Sequence, residues 1–240
     1  MTAVEKKDAR AAYWSVAGLI EGARLCAPVM PGMALFGAAF GALAAQKGLT
    51  LLQSMLMTAA VYAGASQFVA LEMWSEAATV AGVISLGLVT ATVNMRFVLM
   101  TAALRPWFGP LPAWQSYPAL FVITDPGWLI AMHYHAKGGR DASILVGGGL
   151  AFWLIWIVSC LPGYLLGAKV ADPKRFGLDV IMPAFFVVML VPLWRGARRA
   201  IPWAIAGCTA LLVAAVIPGW WFIIIGALAG SIAGGFIHER

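Results

Sequence analysis

Gly87–Met100 reads GLVTATVNMRFVLM and lies inside an apolar run extending over 78–104. As a helix, such a run crosses a hydrocarbon core about 30 Å thick. Yet Asn94 and Arg96 stand close to its centre, where a lone polar or charged group is costly. The rest of the chain is built in the same way: of 240 residues, 62% are hydrophobic and 11% charged, against about a quarter charged in a soluble domain. Reading apolar runs between polar punctuation adds spans near 15–45, 51–74, 115–135, 142–168, 177–194, 199–216 and 219–236. Backbone groups in lipid have to be satisfied within each segment, which selects helices. The sequence therefore predicts an all-α fold, a polytopic transmembrane helical bundle of about seven to eight spans. It forms a single integral membrane domain over 1–240, with a cytoplasmic N-terminal segment over 1–14.

The orientation comes from the basic residues. With eight crossings and the N-terminus inside, nine Lys and Arg fall on the inner side (Lys6, Lys7, Arg10, Lys137, Arg140, Arg195, Arg198, Arg199, Arg240). Five fall outside (Lys47, Arg105, Lys169, Lys174, Arg175). The excess inside is the positive-inside signature, and it accounts for the net charge of +6 without a nucleic-acid partner. The partner at this level is the lipid bilayer, and the expected location is the cell's inner (plasma) membrane, crossed several times. The N-terminal run is broken by Glu21 and Arg24 and has no small-residue cleavage site, so no removable signal peptide is expected. Cys26, Cys160 and Cys208 are far apart in apolar surroundings and read as small hydrophobes.

Polar groups inside the spans carry the functional reading. The second span holds VYAGASQFVALEM over Val61–Met73, with Ser66 and Gln67 near its midpoint. Alone, such a pair reads as hydrogen-bonding glue between helices, with Gly64 and Ala65 allowing close approach. The fourth span holds ALFVITDPGWLI over Ala119–Ile130, which puts Asp125 near its centre as the obvious partner for Arg96. Intramembrane ionisable residues mark substrate or proton pathways often enough to be read that way first. On an unbroken helix Arg96 is turned about 200° from Asn94. Either the third span unwinds near Val89–Val93, or one of the two lines a pathway while the other packs.

Two further stretches weaken helices. Pro126–Gly127 follows Asp125, and the first run contains CAPVMPGMALFG over Cys26–Gly37, where Pro28, Pro31 and Gly32 predict a break. Freed backbone at the midplane is a common device for binding substrates in secondary transporters. A midplane pocket therefore gathers Pro31, Gly32, Ser66, Gln67, Asn94, Arg96 and Asp125, with Phe36, Phe68 and Met95 as an apolar wall. Gly37 and Gly41, like Gly226, Gly230 and Gly234, recur every fourth residue as close-packing ridges, the second set either internal or facing another subunit. A weak likeness between Leu49–Tyr62 and Leu178–Val191 hints at duplication.

Enzymatic classes find little support. The chain has no phosphate-binding G-x-x-x-x-G-K-[ST] loop, no nucleophile elbow around Ser66 and no zinc-binding H-E-x-x-H. No catalytic residue, metal ligand or cofactor is expected.

In this order and spacing, PGMALFGAAFGALAAQKGLT, VYAGASQFVAL, NMRFVLMTAALRPW and the Thr124–Asp125 of VITDPGW resemble the AzlC family, the large subunit of two-component branched-chain amino acid exporters. The resemblance covers about Gly18–Trp128, and the remainder agrees in hydropathy and length. It implies a secondary-transporter subunit, not an enzyme, that exports leucine, isoleucine, valine or similar amino acids. It also implies an ion or proton gradient as the driving force and a small AzlD-type membrane subunit as partner. By motif it carries over to Pro31–Gly32, Gly64–Gln67, Asn94, Arg96 and Asp125. Members commonly have an acidic residue directly after this aspartate, whereas Pro126 stands here. In such a protein Asp125 holds the substrate ammonium or the coupling proton, and Arg96 or freed backbone donors near Pro31–Gly32 hold the carboxylate. The alternative is a non-transporting membrane scaffold or channel subunit.

Overall fold

The computed structural model describes residues 12–74, 79–169 and 196–238, together with Val187, Val191 and Trp194. The expected sixth span and the second half of the suggested duplication fall almost wholly outside the described residues, as does most of the 1–14 segment.

Among the described residues the chain is helical, and the expected spans other than the sixth appear as helices within a few residues of their expected limits. The first comprises α1 (Val16–Cys26) and α2 (Met30–Gln46), joined by a single 3-10 turn at Ala27–Val29. Pro28 and Pro31 each stand in the first turn of the segment they enter, where a missing N–H costs nothing. The helix therefore tightens there and does not unwind. The second span is split into α3 (Leu51–Val61) and α4 (Gly64–Glu72). The third, α5 (Val80–Phe108), is unbroken. The fourth is split into α6 (Ala113–Phe121) and α7 (Asp125–Ala136), and the fifth is α8 (Ser143–Gly167). Two further spans are α9 (Ala197–Val216) and α10 (Trp221–His238).

The chain divides into two compact units, one of 1–67 with 95–173 and one of 68–94 with 174–240. In the first, α8 is the central post, and its contacts are made backbone to backbone. A Cβ at Gly41 would lie 2.1 Å from the Cys160 carbonyl oxygen, and one at Gly163 would lie 2.0 Å from that of Ala38. The Gly37–Gly41 ridge thus seats α2 on α8, as its spacing predicts. In the second unit α9 and α10 form a hairpin. A Cβ at Gly226 would meet Ala210 at 2.9 Å, and one at Gly230 would meet Ala206 at 2.7 Å. The C-terminal glycine ridge is therefore spent internally.

Two ties fix which span ends share a side. Tyr13 pairs with Asp141 in an isolated parallel bridge, with Ala142 N–H donating to Tyr13 O at 2.9 Å. Buried Asp141 accepts from the Ser15 hydroxyl and, at 3.0 Å, from Ser143 N–H, so one carboxylate serves the N-terminal ends of both α1 and α8. At the other end Tyr164 O–H donates to Leu49 O at 2.8 Å. Chain entry and the 137–141 loop therefore lie together, as four crossings between them require.

Candidate functional site

The first span, down to the end of α1, and the interruptions of the second and fourth spans meet on three successive glycines of α8. A Cβ at Gly147 would lie 2.0 Å from Leu19 O, one at Gly148 2.6 Å from Cys26 Sγ, and one at Gly149 2.2 Å from Val122 O. Cys26 ends α1 just before its 3-10 turn, and Val122 begins the gap between α6 and α7. Tyr62, in the gap of the second span, donates its hydroxyl to Gly149 O at 3.0 Å and lies beside the Thr124 side chain. Sequence reasoning missed this platform. Its signal is Gly147–Gly148–Gly149 in the second turn of α8, where three consecutive glycines weaken a helix unless something approaches closely.

The second break was not legible from local sequence. Tyr62 adopts φ 42° and ψ 44°, the left-handed region that a bulky residue rarely enters. The α4 helix then supplies its own bridge: Gln67 Nε2 donates to Met57 O at 2.7 Å, reaching back across the gap to a carbonyl of α3. Ser66 O–H donates to Ala63 O at 2.9 Å. Both residues are buried. The amide therefore holds together the two halves of one span, a role neither free glue between helices nor a simple pocket wall anticipates.

The fourth break lies one step before the place that Pro126 suggests. Thr124 is extended and caps α7, its hydroxyl accepting from Gly127 N–H at 3.2 Å. Pro126 then occupies the first turn, where proline fits. The consequence is electrostatic: Asp125 opens a new helix in mid-membrane, at its positive end, where a carboxylate is favoured. Arg96 Nη2 lies 3.2 Å from Asp125 Oδ2. The guanidinium also stands over the Phe97 ring, 5.2 Å from its centroid. One turn further along both helices, Trp128 Nε1 donates to Met100 O at 3.1 Å, which fixes the register of α7 on α5. Neither charge is sealed, for the side chains keep 28% and 25% of their accessible surface.

The other expected residues separate from this pair. Because α5 is regular, the unwinding considered near Val89–Val93 does not occur, and Asn94 points about 200° away from Arg96 on the same helix. Pro31 and Gly32 are exposed, and a Cβ at Gly32 would meet nothing within 4 Å. They are not drawn toward the platform. Phe36 is buried, whereas Met95 is 59% exposed and faces away from any enclosed wall. His135, which the sequence places in a His133–Tyr134–His135 run, stacks on Trp107 at 4.6 Å and donates through Nδ1 to Gly139 O at 2.8 Å.

Broken spans packed on glycines, with a charge pair at one break, define the class: a polytopic helical membrane protein with ionisable groups in its interior. The family profile described as AzlC protein matches residues 28–170, more than half of the chain, and the chain belongs to that family. The match runs beyond Trp128 through the fifth span and so includes the glycine platform. An uncharacterized membrane protein of Helicobacter pylori strain J99 is 27% identical over 165 residues, which cover 68% of this chain and 70% of the relative. Another, from strain 26695, is 26% identical over 168 residues, covering 70% and 72%. No solved structure matches the chain. Family and fold together assign a membrane transport-related role.

Proposed function

We propose that the chain is the large subunit of a secondary transporter in the inner (plasma) membrane. It exports branched-chain or similar apolar amino acids on an ion or proton gradient, together with a small AzlD-type membrane subunit, and it catalyses no chemical conversion. The observation that carries this reading is the Arg96–Asp125 pair at a mid-span helix start. A purely structural pair in hydrocarbon is strongly stabilised when it is sealed and fully hydrogen-bonded, since an incompletely compensated charge is expensive there. This pair is a quarter accessible and sits on a broken helix, a geometry suited to a carboxylate that exchanges an ion during the cycle. Asp125 is the coupling group in this reading, and Arg96 is its ion-pair partner between turns.

The test is export itself. Proteoliposomes loaded with radiolabelled leucine, containing this chain with its small membrane partner, should release label faster when a proton or sodium gradient is imposed than when it is collapsed. A scaffold or channel subunit gives the same release in both conditions, and an enzyme gives labelled products other than leucine.

A further inference from the structure

Four buried side-chain polar atoms described in the first unit have no hydrogen-bond partner, Gln46 Nε2, Gln67 Oε1, Arg96 Nε and Trp156 Nε1, and two of them, Gln67 Oε1 and Trp156 Nε1, belong to residues packed around the break of the second span. Gln67 is 0% exposed and Trp156 2%. A buried orphan is costly enough in a native fold to need a reason. The amide's orientation is settled by its neighbour: the Met57 carbonyl can only accept, so the atom bonded to it is the nitrogen and the orphan is the carbonyl oxygen. One group is thus a vacant acceptor, the other a vacant donor.

They line one packed layer. On α8, Trp153 Nε1 donates to Ala59 O at 3.1 Å and Cys160 Sγ accepts from the Thr58 hydroxyl at 3.4 Å, so the turns on either side of Trp156 are fixed to the end of α3. The indole edge itself faces the start of α4, where a Cβ on Gly64 would lie 3.1 Å from Trp156 Cη2. Gln67 stands one turn beyond Gly64, on the same side of α4, and is bonded to Met57, next to Thr58. Phe36 and Phe40 pack on the indole at 5.4 and 5.9 Å.

We infer that this layer is the substrate site: Gln67 Oε1 accepts from the ammonium of an α-amino acid, Trp156 Nε1 donates to its carboxylate, and Phe36 and Phe40 take the apolar side chain. The inference rests on the export reading above and moves the substrate away from Asp125, whose carboxylate is already engaged by Arg96. Neutral partners suit a zwitterion in a low-dielectric layer, because each end finds a hydrogen bond without a buried net charge. Both orphans are closed to solvent, so a ligand that meets them is occluded, and the Tyr62–Ala63 break beside them is the segment that moves to admit it.

The experiment uses the purified chain in complex with its small membrane partner and radiolabelled leucine, competed by 3-methylbutylamine, which lacks the carboxylate, and by 4-methylpentanoate, which lacks the ammonium. Trp156→Phe should weaken leucine and 4-methylpentanoate about tenfold to a hundredfold and leave the amine unchanged. Gln67→Leu should weaken leucine and the amine by a similar factor and leave the acid unchanged. Should either variant fail to fold, the wild-type chain still decides, because each analogue should bind at least about tenfold less tightly than leucine. Wild-type binding of leucine that both substitutions leave intact, or equal binding of leucine and an analogue, overturns this site alone. No leucine binding by the wild-type chain overturns the export reading and this inference with it.

Discussion

The second and fourth spans both break at the level of Gly149, and they resolve the break differently. In the second, the chain repairs itself with neutral groups: Gln67 bridges to Met57, Tyr62 bonds Gly149, and the site is closed. In the fourth, the new helix end carries a carboxylate whose partner comes from α5, and the pair stays partly accessible. A broken helix in a membrane always creates unsatisfied backbone, so what distinguishes breaks is who satisfies it. A neutral repair suits holding a zwitterion, whereas a charged one suits exchanging an ion. On the proposed reading, the two halves of a coupled transport cycle fall on adjacent breaks of one glycine platform.

Removing one charge of the Arg96–Asp125 pair has the largest expected effect. Arg96→Ala leaves Asp125 unpaired in mid-membrane, where a lone charge costs about 2.5–3.5 kcal/mol. Folded yield in membranes should fall steeply, and Arg96→Ala with Asp125→Ala should recover a large part of it. Losses that simply add would show that the two side chains do not stabilise each other.

Pushing the breaks off their platform comes next. Gly149→Val places side-chain atoms against the Val122 carbonyl and should lower thermal stability by about 1–3 kcal/mol or more. Gly207→Ala in α9, where a Cβ meets nothing within 4 Å, should stay within about 0.5 kcal/mol of wild type. Equal melting temperatures for the two variants in detergent would contradict the packing described.

The smallest effect belongs to the neutral break. Tyr62→Phe deletes only the hydroxyl bonded to Gly149, and hydrogen bonds between membrane helices average about 0.6 kcal/mol. A shift of a degree or two in melting temperature is expected. A collapse comparable to that of Arg96→Ala would mean that the neutral break bears as much of the fold as the charged one.

Much of this architecture was legible because the bilayer imposes it. Spans such as 142–168 follow from run length alone, and the Arg96–Asp125 pairing follows from the absence of any other adequate partner for two mid-span charges. The Gly37–Gly41 ridge was legible as a packing face, although only its distances to α8 name what it packs on. The second break was not legible, because a left-handed tyrosine has no local signature and is held by a hydroxyl bond to a residue 87 positions away. Prolines misled in a consistent way. Pro28, Pro31 and Pro126 mark helix starts here, so the expected unwinding at them became a tightened turn in one case and a cap two residues earlier, at Thr124, in the other. Asp141 escaped notice altogether, since its role depends on two helix ends that meet only in the fold.

The division of labour between the two breaks is tested most directly by separating exchange from driven export in the same vesicles. Asp125→Asn, normalised to folded protein, should abolish leucine export that depends on the imposed gradient while leaving leucine counterflow within about threefold of wild type, a difference under 1 kcal/mol. Loss of counterflow together with driven export, in protein that remains folded, would place the substrate at Asp125 and contradict the account.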